Sequence, residues 1–169
     1  LPLRFVIFGT LSYTISSYIG VIFSLPAVAK ITQFSIINDF HFNQRVYGFF
    51  SMIIFGMVYH ILPRLTGNEI AKSAKAFHFW TSAFGVLILL LAYLIGGLTN
   101  GVLAQQPSLD WASSVLSSVM PYFFITELAF IVLGFSQLVF VINVWKAIFP
   151  NPFSFISSND DASSKEVAA

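Results

Sequence analysis

The stretch ITQFSIINDFHFNQRVYGFFSMIIFGMVYHILPR, residues 31–64, changes character at its middle. Its first half holds Gln33, Asn38, Asp39, His41, Asn43, Gln44 and Arg45, whereas residues 46–63 carry no acid, Lys or Arg. Crossing hydrocarbon takes about 20 mostly apolar residues, so the second half reads as a slightly short membrane span entered from a polar segment. Working outward, comparable runs bounded by charge, Pro or Asn cover about 5–29, 77–103 and 120–149, and the connecting segments 30–45, 64–76 and 104–119 are polar enough for an interface. The composition agrees, since 57% of the 169 residues are hydrophobic and only 9% charged, against about a quarter charged in soluble domains. The expected fold is an all-α membrane protein with four transmembrane helices in one domain, 1–149, followed by a polar tail, 150–169. The tail, with SSNDDASSKEVAA at its end, is expected to be disordered or draped along a partner.

Charge and motifs exclude several function classes. A net charge of +1 with eight scattered Lys and Arg assembles neither a track for nucleic acid nor a polybasic lipid-binding cluster. The absence of Cys removes disulfides, thiolate metal sites and Cys nucleophiles. No phosphate-binding loop, nucleophile elbow, zinc-protease helix or calcium loop is present. Arg4, Arg64, Lys72, Lys75 and Lys146 fall on one side if every span crosses, so both termini are expected in the cytoplasm, with His41 on the outer side. The first residue is Leu and no signal pattern precedes the first span, so the sequence is expected to begin inside a longer polypeptide or after processing.

Helix faces indicate packing and a few candidate sites. Ser12, Ser16, Gly20 and Ser24 recur every four residues in the first span, a small-residue stripe that lets helix backbones approach. Gly85, Ala92 and Gly96 repeat the pattern more weakly in the third, and Gly134 sits near the middle of the fourth. His41, at the head of the second helix near the outer surface, is placed for axial ligation of a heme iron. His60 and His78 read as amphipathic rings at the cytoplasmic interface. Glu127 lies about 10 Å into the fourth span at 1.5 Å per residue, a candidate for proton handling or for pairing with a partner's cation.

The ordered phrases LRFVIFGTLSYT, SLPAVAKITQFS, HFNQRVYGFFSMIIFGMVYHILPRLTG, KAFHFW, MPYFF and NVWKAI resemble the last third of the catalytic subunit I of cbb-type cytochrome c oxidases, of the heme-copper oxidase superfamily. The resemblance covers nearly all of 1–149 and implies that the four spans correspond to helices nine to twelve of a twelve-helix subunit, in a bacterial cytoplasmic membrane. In that family a His-x-His pair heads the tenth helix; the resemblance makes His41 the ligand of the high-spin heme and puts Asn43 in place of the low-spin ligand. Gln33 stands where a His near the heme propionates is usual, and Thr126, beside Glu127, where an Arg is often found. The copper ligands, the active-site tyrosine and the second low-spin ligand belong to the family's first eight helices, so no copper site is expected on this chain and a heme, if bound, is of b type.

These features imply an integral membrane subunit of a respiratory or electron-transfer complex, a truncated and partly degenerate relative of oxidase subunit I that does not reduce oxygen by itself. Its partners are other membrane subunits and lipids. Two alternatives stand beside it: part of a divergent oxygen- or nitric-oxide-reducing subunit carrying the high-spin heme ligand, and a small channel or transporter subunit. Asn43 counts against the first, and the lack of paired intramembrane acids and broken half-helices against the second.

Overall fold

The computed structural model describes residues 1–106 and 111–150. Six α-helices are described, α1 (Pro2–Phe23), α2 (Pro26–Thr32), α3 (Ile37–Asn43), α4 (Met52–Thr66), α5 (Lys72–Leu103) and α6 (Leu116–Ile148); α1, α3 with α4, α5 and α6 make four long rods, and α2 is a short helix between the first two. A π-helical stretch, Gln44–Ser51, joins α3 to α4, so that Ile37–Thr66 is one helix of 30 residues. A second π-helical stretch, Trp111–Val115, leads into α6. Four helices are therefore long and apolar enough to cross a membrane, by length and composition, and the protein is integral to one.

Helix ends follow local chemistry. The first span was expected to reach residue 29, but α1 stops at Phe23. Pro26 pushes Leu25 into extended backbone (ψ 133) and then opens α2 at its first turn, the two effects proline exerts on its predecessor and on a helix start. The segment 30–45, expected as a connection, is largely helical as the rest of α2 and α3, which lengthens the second rod beyond 46–63. α4 ends at Gly67, whose φ of 72° closes a left-handed cap with its N–H on the Pro63 carbonyl at 2.9 Å, a conformation glycine adopts without strain. The expected tail, beyond residue 150, and residues 107–110 of the expected connection 104–119 lie outside the described residues.

α5 is the hub. Half of its most apolar window is buried, against 17%, 28% and 22% for the other three rods. Without a hydrophobic driving force in lipid, such contacts rest on close packing, and the glycines of α5 supply it. A Cβ on Gly85 would stand 2.8 Å from Leu133, one on Gly96 2.7 Å from Tyr122, and one on Gly97 2.6 Å from the Ile37 backbone nitrogen. Gly101 sits against the Ile31 carbonyl in the same way. Gly85 and Gly96, of the seam read as the weaker of the two in the sequence, thus hold α6 directly against α5, while Gly97 and Gly101, outside that reading, seat α3 and α2.

α1 crosses the π-helical stretch. A Cβ on Gly48 would come within 2.8 Å of Ser12 Oγ, and Gln44 Nε2 donates to that same oxygen at 3.3 Å. Ser51 Oγ donates to the Val46 carbonyl at 2.8 Å, five residues back, using one of the carbonyls that the wider π turn leaves poorly paired. One end of the bundle gathers the start of α1, the end of α4, the start of α5 and the end of α6. There Phe5 meets Phe55, Tyr59, His78 and Phe79, and Asn68 Nδ2 donates to the Ala147 carbonyl at 2.9 Å.

Candidate functional site

His41 sits in the last turn of α3, one turn before the helix widens. Its Nδ1 lies 3.3 Å from Ser16 Oγ. The Cε1–Nε2 edge of the ring faces Gly20, where a Cβ would be 3.3 Å from Cε1 and 3.8 Å from Nε2. Phe23 and Phe40 meet the ring edge-on, with centroids at 5.7 and 5.2 Å. Beside it opens a polar cleft of about 440 Å³ lined by Tyr13, Ser16, Ser17, Gly20, Val21, Ser24, His41, Gln44 and Arg45.

The structure therefore brings the candidate ligand and the small-residue stripe of α1 into one place. Ser12 and Ser16 bond to the α3 rod and Gly20 makes room for the imidazole, whereas Ser24 is exposed and bonds its own helix at the Val21 carbonyl. The stripe does more than seat a neighbour, because Ser16 is a polar contact to the histidine itself.

The positions flanking His41 in the resemblance face elsewhere. Asn43 is buried, its Nδ2 donating to the Asp39 carbonyl at 2.8 Å. Thr126 is buried with its hydroxyl on the Phe123 carbonyl at 2.8 Å. Both side chains flank the Tyr93 hydroxyl of α5. Gln33 is exposed, and its backbone carbonyl accepts from Asn38 Nδ2. Among the described residues no group of three or more His, Cys, Asp or Glu gathers that could hold a metal ion.

His60 is exposed and bonds Arg64, one turn later. His78 departs from the expectation of an interfacial ring: it is 0% exposed, enclosed by Phe5, Phe55 and Phe140. Asn143 Nδ2 donates to the Tyr59 hydroxyl at 3.0 Å, and that hydroxyl lies 2.9 Å from His78 Nδ1. With its oxygen already accepting, the Tyr59 O–H is left to donate to Nδ1, which leaves the imidazole proton on Nε2; that nitrogen has no partner among the described residues. The reason for the difference is helical phase, because His78 shares a face with Lys75, Ser82 and Val86, all buried against neighbouring helices.

This Tyr59–His78–Asn143 cluster was missed in the sequence, although the period carried a signal. Met52, Phe55, Gly56 and Tyr59 are the buried residues of α4, spaced as one helix face, which turns Tyr59 inward and His60 outward. Glu127 is exposed on α6. Because the rod begins at Ser113 rather than near Met120, Glu127 lies about 5 Å from its middle at 1.5 Å per residue, deeper along the helix than the shorter span implied.

Comparison with known proteins agrees with this architecture. The family model described as Cytochrome C and Quinol oxidase polypeptide I matches residues 1–132. Similar proteins include the cytochrome c oxidase subunit 1 of Rhodobacter capsulatus, 23% identical over 83% of this chain and 28% of the relative. The Cbb3-type cytochrome c oxidase subunit CcoN1 of Stutzerimonas stutzeri is 20% identical over 86% of this chain and 32% of its own length. A cytochrome c oxidase subunit 1 homolog of Agrobacterium tumefaciens is 21% identical over 86% and 28%. The chain spans roughly a third or less of the curated relatives it matches. With the family match extending over most of its length and four apolar rods in the structure, this chain belongs to the cytochrome c and quinol oxidase polypeptide I family.

Proposed function

We propose that this chain is an integral membrane subunit of a respiratory or electron-transfer complex, that it supplies helical scaffold and one axial imidazole, His41, for a b-type heme, and that it does not reduce oxygen by itself. The observation that carries the reading is the setting of His41. A neutral imidazole whose Nδ1–H donates to Ser16 Oγ keeps its lone pair on Nε2, the arrangement that orients a histidine for iron. Gly20 keeps a side chain off the Cε1–Nε2 edge of the ring, against which α1 packs, and Arg45 at the rim of the same cleft is the cation available to a porphyrin carboxylate. A heme held there supplies one-electron chemistry; the chain's own residues hold the ring, fix its tautomer and shape the cleft.

The other side of α3 supports the absence of a second heme ligand. An amide is not a competent axial ligand for low-spin iron, and Asn43 spends its N–H on the Asp39 carbonyl. The test is a reduced-minus-oxidised absorption spectrum of the purified complex, with and without carbon monoxide. The expected result is a high-spin, carbon-monoxide-sensitive signal that disappears in His41→Ala; an unchanged signal in that variant removes His41 from the site.

A further inference from the structure

α6 is covered on one side. Thr126, Ala129, Leu133 and Ser136 are buried on the face turned to α5. On the opposite face Phe124, Leu128, Ile131, Phe135 and Leu138 are exposed by 69, 58, 69, 51 and 61%. Their spacing alternates four and three, the repeat of a helix–helix seam. Lipid accepts an apolar seam as readily as a protein does, so the seam alone names no occupant.

Two residues on its flank do. Glu127 is exposed beside the seam and makes no ion pair among the described residues. Acids inside membrane helices are paired or face the interior of a bundle, because acyl chains solvate them poorly. Gly134 follows one heptad later on the same flank, and a Cβ added there would meet nothing within 4 Å. None of the described residues uses the space it leaves, whereas Gly85, Gly96 and Gly97 each admit a neighbour.

We propose that this face seats a transmembrane helix of a neighbouring subunit, running alongside α6 with a Lys or Arg opposite Glu127 and its backbone close to Gly134. The proposal rests on the reading of the chain as one subunit of a membrane complex. A second copy of this chain paired through α6 does not satisfy the site. Two α6 helices in the same membrane orientation would bring Glu127 against Glu127 at one depth, and Lys146, the cation of α6, lies about 28 Å along the axis at 1.5 Å per residue.

The absence of Cys makes single-thiol variants unambiguous. A Leu128→Cys variant carrying a photoactivatable benzophenone is irradiated in native membranes, the complex is solubilised, and the joined peptide is sequenced. The expected crosslink falls in a transmembrane segment of another subunit that contains Lys or Arg. Glu127→Gln is expected to reduce co-purification of that subunit at least tenfold, and the loss in Glu127→Lys to be restored when that Lys or Arg is changed to Glu. Crosslinks to a second copy or to phospholipid alone, or an unchanged subunit composition in Glu127→Gln, overturn the proposal. An unchanged far-UV spectrum and melting temperature for Glu127→Gln separate loss of the partner from loss of fold. If the wild-type chain purifies with no other subunit, the reading of a membrane complex falls as well. If the complex is intact but the crosslink is absent, this proposal alone falls.

Discussion

Tyr59 is the residue on which the buried polar cluster turns. Its oxygen accepts from Asn143 and its proton serves His78, and all three side chains are buried. Tyr59→Phe keeps the ring contacts with Phe5 and Phe140 but strands an amide N–H and an imidazole nitrogen. Leaving such groups unpaired destabilises by roughly 1–2 kcal/mol, between the averages for buried groups in water-soluble proteins and those in membrane bundles. A melting curve in detergent should show a lowered midpoint for Tyr59→Phe and a similar one for Asn143→Leu; a double variant additive in the two losses would mean that the residues do not act as one network. The inward turn of Tyr59 was legible from helix period, and so was the inward turn of His78. What hid them was the amphipathic character of the ring: a histidine at the head of a span is equally suited to an interface, and only the positions of Phe5 and Asn143, 73 and 65 residues away in sequence by subtraction from His78, decide between the two.

At the scale of the helix, proximity is set by glycine. Gly97 and Gly101 let α3 and α2 lie on α5 with their backbones nearly touching, and this contact fixes where His41 stands relative to α1. Gly97→Leu has no space to enter, since its Cβ alone would be 2.6 Å from the Ile37 nitrogen; overpacking of this kind costs about 1–3 kcal/mol or more. Thermal unfolding in detergent should register that loss, while Gly134→Leu, in open space on α6, should leave the melting temperature of the isolated chain unchanged. Equal effects from the two would mean that helix propensity, not packing, governs both positions. Four rods could be counted from hydropathy because each run is long and uncharged. The breaks inside them were harder to see: Pro26 ends α1 early, and the π turns of Gln44–Ser51 leave no mark of their own, because Gln44 and Arg45 read equally well as the polar entry to a span.

Taken as one molecule, the bundle is polarised. Arg4, Arg64, Lys72, Lys75 and Lys146 belong to the end where α1 and α5 begin and α4 and α6 finish, and the ion pair of the described residues, Lys75 with Glu69 at 3.8 Å, is also there. Positive charge retained in the cytoplasm predicts that a thiol introduced by Ser73→Cys reacts with an impermeant maleimide only after cells are opened, and that Gln105→Cys reacts on intact cells. The reverse pattern would place His41 on the inner side. The resemblance in the sequence led to the family and to His41, but not to the hydroxyl contact of Ser16, because residues on separate helices reveal their pairing only once α1 is laid across the π-helical stretch. The most direct measurement is heme per polypeptide, by pyridine hemochrome assay, in the purified wild-type complex and in the same complex carrying His41→Ala or Asn43→Ala. Loss of one heme in His41→Ala with no change in Asn43→Ala is the predicted result. Equal heme content in wild type and His41→Ala would contradict it.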